Sequence, residues 1–171
     1  MAASAHSRCV KNFCLVAVRR PSAILRTLGS YVVIETLKAV AHPWLCDAMG
    51  HMNVRFYTAF FDDASSYFVG GLGGGVDQLA DAHLGWADVR HVVEFREEVR
   101  SGGLLRVCTR VIKVGRTSLT FQHELTGRSA NLHATMEVVS VMFDLEKRQA
   151  VPLPDTVRTA AEYLLTQQVD Q

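Results

Sequence analysis

VRFYTAFFDDASSYFVGGLG, residues 54–73, carries the pattern that decides the fold. Phe56, Tyr57, Phe60, Phe61, Ala64, Tyr67 and Phe68 recur at three- and four-residue steps, which is one broad apolar stripe of an α-helix. Four of the chain's eight phenylalanines lie on that stripe, so the helix is expected to be buried. Asn53 stands where an N-cap belongs. GGLGGG at 70–75 ends the pattern, as glycine past a helix end does, and is expected to lead into a mobile flap. It does not complete G-x-G-x-x-G and follows a helix rather than a strand, which argues against dinucleotide binding.

On either side of the helix the period is that of strands. YVVIETLKAVAHP (31–43) is β-branched and partly alternating, and is expected to be a strand that stops at Pro43. VRHVVEFREEV (89–99) puts Val89, Val93, Phe95 and Val99 on one face and Arg90, Glu94, Arg96 and Glu98 on the other. LLRVCTRVIKV (104–114) and TSLTFQHELT (117–126) follow, joined through Gly115-Arg116 as a tight hairpin. In the second of these, Leu119, Phe121, His123 and Leu125 share a face. LHATMEVVSVMFD (132–144) reads as a central strand, and DTVRTAAEYLL (155–165), after Pro152 and Pro154, as a short helix. The order predicts an α+β domain: a long buried helix wrapped by a curved antiparallel five-stranded sheet, its last four strands in a meander.

At 171 residues the chain is long enough for one domain with a real core. A net charge of +1 gives no electrostatic footprint for nucleic acid. No apolar run approaches the ~20 residues of a membrane-spanning helix. Cys9, Cys14, Cys46 and Cys108 lack C-x-x-C spacing and read as unbridged thiols in a reducing compartment, the cytoplasm. Residues 1–30 stand apart. Arg8, Lys11, Arg19, Arg20 and Arg26 occur with no acid before Glu35, a bias that a mitochondrial transit peptide shares. FCLVAV is too short for a secretory core and runs into Arg19 and Arg20. The expectation is a non-native or disordered extension over 1–30 and a folded domain over 31–171, with mitochondrial import as the alternative.

The chemistry is concentrated just ahead of the helix, in CDAMGHMN, residues 46–53. His42, Cys46, Asp47 and His51 are all metal-ligand types within ten residues, but no second pair with zinc-ligand spacing exists. Cys46 is a poor nucleophile, since the adjacent carboxylate disfavours a thiolate. Acyl transfer suits the stretch better. Asp47 can act as base or nucleophile, Gly50 lets backbone pass close to a ligand, and residues 51–54 open a helix whose unpaired N–H groups can bind an oxyanion. A thioester fits this equipment, because a thiol with pKa near 8.5 leaves without a strong general acid. The competing reading is structural: Asp47 caps a turn, Asn53 caps the helix and His51 bonds locally.

D-A-M-G-H-M-N (47–53), then Tyr57, an aromatic at Phe60, an acid at Asp62 or Asp63, and Ala64, resembles the hotdog-fold acyl-CoA thioesterases. The match is to the 4-hydroxybenzoyl-CoA thioesterase-like branch, with its D-x-x-G-H-x-N-x-x-x-Y signature and following acid–alanine pair. GHMN is similar in particular to the thioesterase domains fused to carnitine dehydrogenases. The likeness covers roughly residues 31–145 in element order and is most specific over 44–64. Many relatives carry D-x-D, whereas the earlier position here is Leu45.

The resemblance implies a hotdog fold and hydrolysis of an acyl-CoA without cofactor or metal. It places the catalytic carboxylate on Asp47, oxyanion donors around Gly50 and His51, and the helix-start asparagine on Asn53. It implies a site at a dimer interface, hence a homodimer or a dimer of dimers. Tyr57, Phe60, Phe61 and the Gly-rich segment would shape the acyl pocket, and Arg90 and His91, with Arg96 and Arg116, would meet the CoA phosphates. The rivals are a non-catalytic acyl-CoA or lipid-binding hotdog protein and a hotdog dehydratase. The second needs an Asp/His pair that the sequence does not single out.

Overall fold

A computed structural model describes residues 25–28 and 31–167. In chain order the elements are β1 (Leu25–Leu28), β2 (Tyr31–Val40), α1 (Val54–Gly71), α2 (Val76–Leu79), β3 (Leu84–Phe95), β4 (Leu104–Val114), β5 (Ser118–Gly127), β6 (Leu132–Asp144), β7 (Gln149–Ala150) and α3 (Asp155–Thr166). The five long strands form one antiparallel sheet, with β1 added beside β2 and β7 beside β6. The architecture is the hotdog fold, with α1 as the buried helix. Asn53 caps α1, its side-chain oxygen accepting the Arg55 N–H at 3.2 Å, and the α1 face of Tyr57, Phe61, Ala64 and Phe68 is buried. Tyr67, at the edge of the expected stripe, is instead exposed.

Alternation in β5 holds as expected: Leu119, Phe121, His123 and Leu125 are buried against α1. In β6, Ala134, Met136, Val138 and Ser140 continue the same face. The strand order corrects the meander. It runs β1-β2-β4-β5-β6-β3, so of the four strands of the expected meander only β4, β5 and β6 are neighbours in sequence and in space. β3 crosses to the far edge and pairs with β6 from Leu84↔Asp144 to Phe95↔Ala134. Alternation tells which face a residue takes, not which strand lies beside it, and β3 carries no local signal for so distant a partner.

A bulge between Asp88 and Arg90 changes the faces of β3. Asp88 lies opposite Ser140 and His91 opposite Val138, so both point to the α1 side, while Arg90, opposite Val139, points outward. Residues 25–28, which the sequence reading left in the extension, pair with β2 as β1. The rest of residues 1–30 lies outside the described residues.

The Gly-rich segment is not a flap in this structure. It leads into α2 and a 3-10 turn over Ala80–Ala82. Trp86 Nε1 donates to the Gly74 carbonyl at 2.8 Å, and a Cβ at Gly74 would stand 3.1 Å from the indole. It also lies a whole helix away from residue 53, about 27 Å for 18 residues, so it does not shape the pocket beside Asp47.

One polar chain crosses the core. His123 is fully buried, stacked on Phe61 at 5.7 Å, with Nδ1 2.7 Å from Thr109 Oγ1 and Nε2 2.9 Å from Ser65 Oγ. Ser65 gives its single hydrogen to the Phe61 carbonyl at 3.0 Å, so it accepts from Nε2–H and Nδ1 accepts from Thr109. Thr36 continues the chain, 2.9 Å from Thr109. Burial holds this imidazole neutral, its pKa pushed down to about 3, with His91 adding to the effect.

Candidate active site

The loop between β2 and α1 is fixed almost entirely by backbone. Cys46 and Met52 face each other as an isolated antiparallel bridge, with Asp47 N donating to His51 O at 2.9 Å and Asn53 N to Leu45 O at 2.9 Å. Inside that bridge the chain reverses over 47–50. Gly50 N donates to Asp47 O at 3.0 Å, and Gly50 itself has φ +80°, where a side chain would be strained. The Asp47 carboxylate closes the turn, accepting the Met49 N–H on Oδ1 at 2.9 Å. Among the described residues its Oδ2 has no partner.

A second strap comes from beyond β3. Met52 N donates to Val99 O at 2.8 Å and Ser101 N to Gly50 O at 3.3 Å, which makes His51 and Arg100 a non-hydrogen-bonded pair. The His51 N–H therefore points away from Arg100, toward the 47–50 turn. Val99 N in turn donates to the Tyr57 hydroxyl at 3.2 Å. Loop, helix start and residues 95–99 thus enclose a cleft of about 320 Å³. Asp47, His51, Asn53 and Tyr57 line it together with Val54 and Phe95.

At the turn and the helix start, backbone donors are left over among the described residues. The N–H groups of His51 and Val54 have no acceptor among the described residues, whereas Gly50 N–H is already used within the turn. Val54 is the first residue of α1, and no acidic side chain in the first turn neutralises the positive end of the helix. Asp47, with one carboxylate oxygen unpartnered, and Val54, with its N–H unpartnered among the described residues, are thus both lining residues of the same small cleft. Such a pairing can attack a carbonyl and hold the negative charge that develops on its oxygen.

The other sequence candidates are distributed differently. Phe61 is in the core against His123, and Phe60 is half-buried at its margin; neither lines the cleft. Arg90 sits on the outer sheet face, 2.6 Å from Glu137, and His91 on the α1 side, 2.9 Å from Asp88. They form no joint anion site. Of the four basic candidates Arg96 alone lines the cleft, where it also pairs with Glu94 at 2.7 Å. Cys46 Sγ points at His42 O, 3.6 Å away, and no group of three or more His, Cys, Asp and Glu could hold a metal ion among the described residues.

Glu97 and Glu98 line the cleft and were missed: the pattern put Glu98 on the polar face of a strand and assigned Glu97 to neither face. Glu98 Oε2 is 3.3 Å from His51 Nε2, while His51 Nδ1 is buried without a partner. Asn131 holds Glu97 at 2.7 Å and reaches His133 at 3.1 Å, pinning this segment to the β5–β6 turn. Nothing in the local sequence signals a contact between residues 51 and 98.

A family model described as the thioesterase-like superfamily matches residues 40–161. No curated protein matches the chain. Among solved structures, a Staphylococcus aureus protein determined in complex with CoA superposes with a TM-score of 0.75 at 16% identity, over 79% of this chain and 85% of that one. A 1,4-dihydroxy-2-naphthoyl-CoA thioesterase from Synechocystis gives 0.67 at 17% identity, over 76% and 96%. A gentisyl-coenzyme A thioesterase gives 0.65 at 19% identity, over 75% and 98%. At these identities the structures show a shared fold.

Proposed function

This chain belongs to the thioesterase-like superfamily, and from that membership we propose that it hydrolyses an acyl-CoA thioester to the free acid and CoA. One observation carries the reading: the unpartnered Asp47 oxygen and the unpartnered Val54 N–H line one cleft. Asp47 either activates water or attacks the carbonyl itself to give a transient anhydride. The N–H groups of Val54 and His51 hold the oxyanion, and Asn53 fixes the helix start that presents the first of them. The acyl group lies against Tyr57, Phe95 and Met52, and Arg96 is the basic residue placed to meet the CoA phosphates. No cofactor enters the reaction.

A homodimer belongs to the same reading. β3 is a sheet edge twelve residues long, with Val89, Val92 and Phe95 exposed along it. A long apolar edge strand invites pairing with a second copy. Among the described residues no helix is long and apolar enough to cross a membrane, and a cytoplasmic site of action fits the reduced thiols.

Thiol release from short, medium, long and aromatic acyl-CoAs, with Asp47→Asn in parallel, tests the reaction. Release selective for one acyl class and absent in the variant is the expected result. Acyl-CoA that raises the melting temperature without being cleaved would replace the enzyme by a binding protein. Label in Asp47 after a single turnover in ¹⁸O-water would identify the anhydride route with water opening the anhydride at the aspartyl carbon.

A further inference from the structure

Tyr57 enters the cleft with a hydrogen that has no acceptor. The residue is 4% exposed, and its hydroxyl oxygen accepts the Val99 N–H at 3.2 Å. A hydroxyl has one donor hydrogen and two lone pairs; here one lone pair is engaged, and among the described residues the hydrogen meets nothing. A buried donor left unmatched is costly, and Tyr57 is a lining residue of a cleft where an acceptor can arrive with a ligand. Tyr57 follows Val54 by three residues, which puts both on one side of α1, and both line the cleft with Asp47. Phe95 meets the phenol ring edge-on at 5.2 Å and fixes its plane.

We propose that the Tyr57 hydroxyl is a catalytic residue, donating its hydrogen bond to the thioester oxygen as that oxygen becomes an oxyanion beside the Val54 N–H. The inference rests on the thioesterase reading and adds a side-chain donor to the backbone ones. No proton is transferred. The nucleophile adds to the carbonyl carbon, the π pair moves onto oxygen, and it returns as the C–S bond breaks and the thiolate leaves. Burial, joined by the neighbouring Glu98 and Cys46, holds the phenol above its ordinary pKa, so it stays protonated at neutral pH. A donor that weakly acidic is mismatched to a thiolate and suited to an alkoxide, which is why the carbonyl oxygen rather than sulfur is its target.

Tyr57→Phe keeps the ring and removes the hydrogen. We expect kcat to fall roughly 10²–10³-fold, as when one oxyanion donor is lost, with little change in KM. Two CoA analogues separate catalysis from shape. A thioether, which has no carbonyl, should bind wild type and variant alike; a trifluoromethyl ketone, whose hydrate offers an oxyanion, should bind the variant more weakly by a factor comparable to the loss in kcat. Should Tyr57→Phe not fold, 3-fluorotyrosine at 57 keeps the volume and sharpens the donor, and should tighten the ketone while leaving the thioether unmoved. Unchanged kcat, or equal effects on both analogues, overturns the donor while leaving the thioesterase standing. A wild type that binds both analogues and cleaves no thioester overturns both.

Discussion

Two polar sites lie along α1, one at its first turn and one in its middle, and they are built on opposite rules. Around His123 each group has a partner: Thr109 on one nitrogen, Ser65 on the other, Thr36 and the Phe61 carbonyl at the ends. Around Asp47 the backbone is tied down just as firmly, yet a carboxylate oxygen, the N–H groups of His51 and Val54 and a phenol hydrogen have no partner among the described residues. A buried polar chain that is fully matched fixes one packing of helix on sheet. A cleft that is rigid but unmatched keeps its hydrogen-bonding capacity for something that arrives. The contrast separates a histidine whose bonds are all made within the fold from an aspartate that keeps an oxygen open to a ligand, although both sit on or beside the same helix.

The sharpest way to break that contrast is Asp47→Asn. The amide keeps an oxygen for the Met49 N–H, so the turn survives, but the carboxylate proposed as base or nucleophile is gone. Turnover should drop by several orders of magnitude, on the scale of losing a nucleophile, with an unchanged melting curve. Near-wild-type turnover would put Asp47 on the same footing as His123. The converse substitution, His123→Leu, strands the Thr109 and Ser65 hydroxyls in the core and should cost about 2–5 kcal/mol of stability. Its turnover below the melting transition should be close to wild type; a loss of kcat in the folded variant would tie the interior chain to the cleft.

Acid sharpens the same contrast. The imidazole's pKa is about 3 in the folded chain and near 6.5 when unfolded. The unfolded state therefore takes up the proton first, and the stabilisation is full above pH 6.5 and lost as pH falls toward 3. The swing is on the order of 5 kcal/mol. Chemical denaturation at a series of pH values should show this slope in wild type and a flatter one in His123→Leu. Parallel slopes would place the titrating group elsewhere.

Much of this was legible in the sequence, and what was not has physical causes. The helix and its cap were written in a 3.6-residue period and one asparagine, and β5 in strict alternation through His123. Position 123 announced a buried face, but its partners Ser65 and Thr109 lie on other elements and no local pattern pairs them. The neighbour of β3 was hidden for the same reason, since alternation placed Val93 and Phe95 on one face and Arg90 and Glu94 on the other while the partner strand is about fifty residues away. Alternation sets His91 against the helix side and Arg90 outward, so the two do not form the joint phosphate site that the resemblance implied. In the cleft, Asp47, His51, Asn53 and Tyr57 were found because they are close in sequence. Glu97 and Glu98 were not, because only the Met52–Val99 strap brings them there. Phe60 and Phe61 show the limit of composition: an aromatic stripe identifies a buried helix, and does not tell core from cleft wall.

Asn53 lies between the two sites, belonging to the fold by its cap and to the cleft by its position. Asn53→Ala removes the acceptor for Arg55 N–H and should lower stability by about 1 kcal/mol, the usual worth of a helix N-cap. If the cap does no more, kcat follows stability and recovers on cooling. If the first turn must be held still for the Val54 N–H to meet an oxyanion, kcat stays low at temperatures where the variant is fully folded, and KM moves little. The second outcome is expected, because Asn53 N–H is itself bound to Leu45 O at the base of the Asp47 loop. Loosening the cap therefore loosens donor and carboxylate together, while the His123 chain, three helical turns further on, keeps the rest of α1 in place.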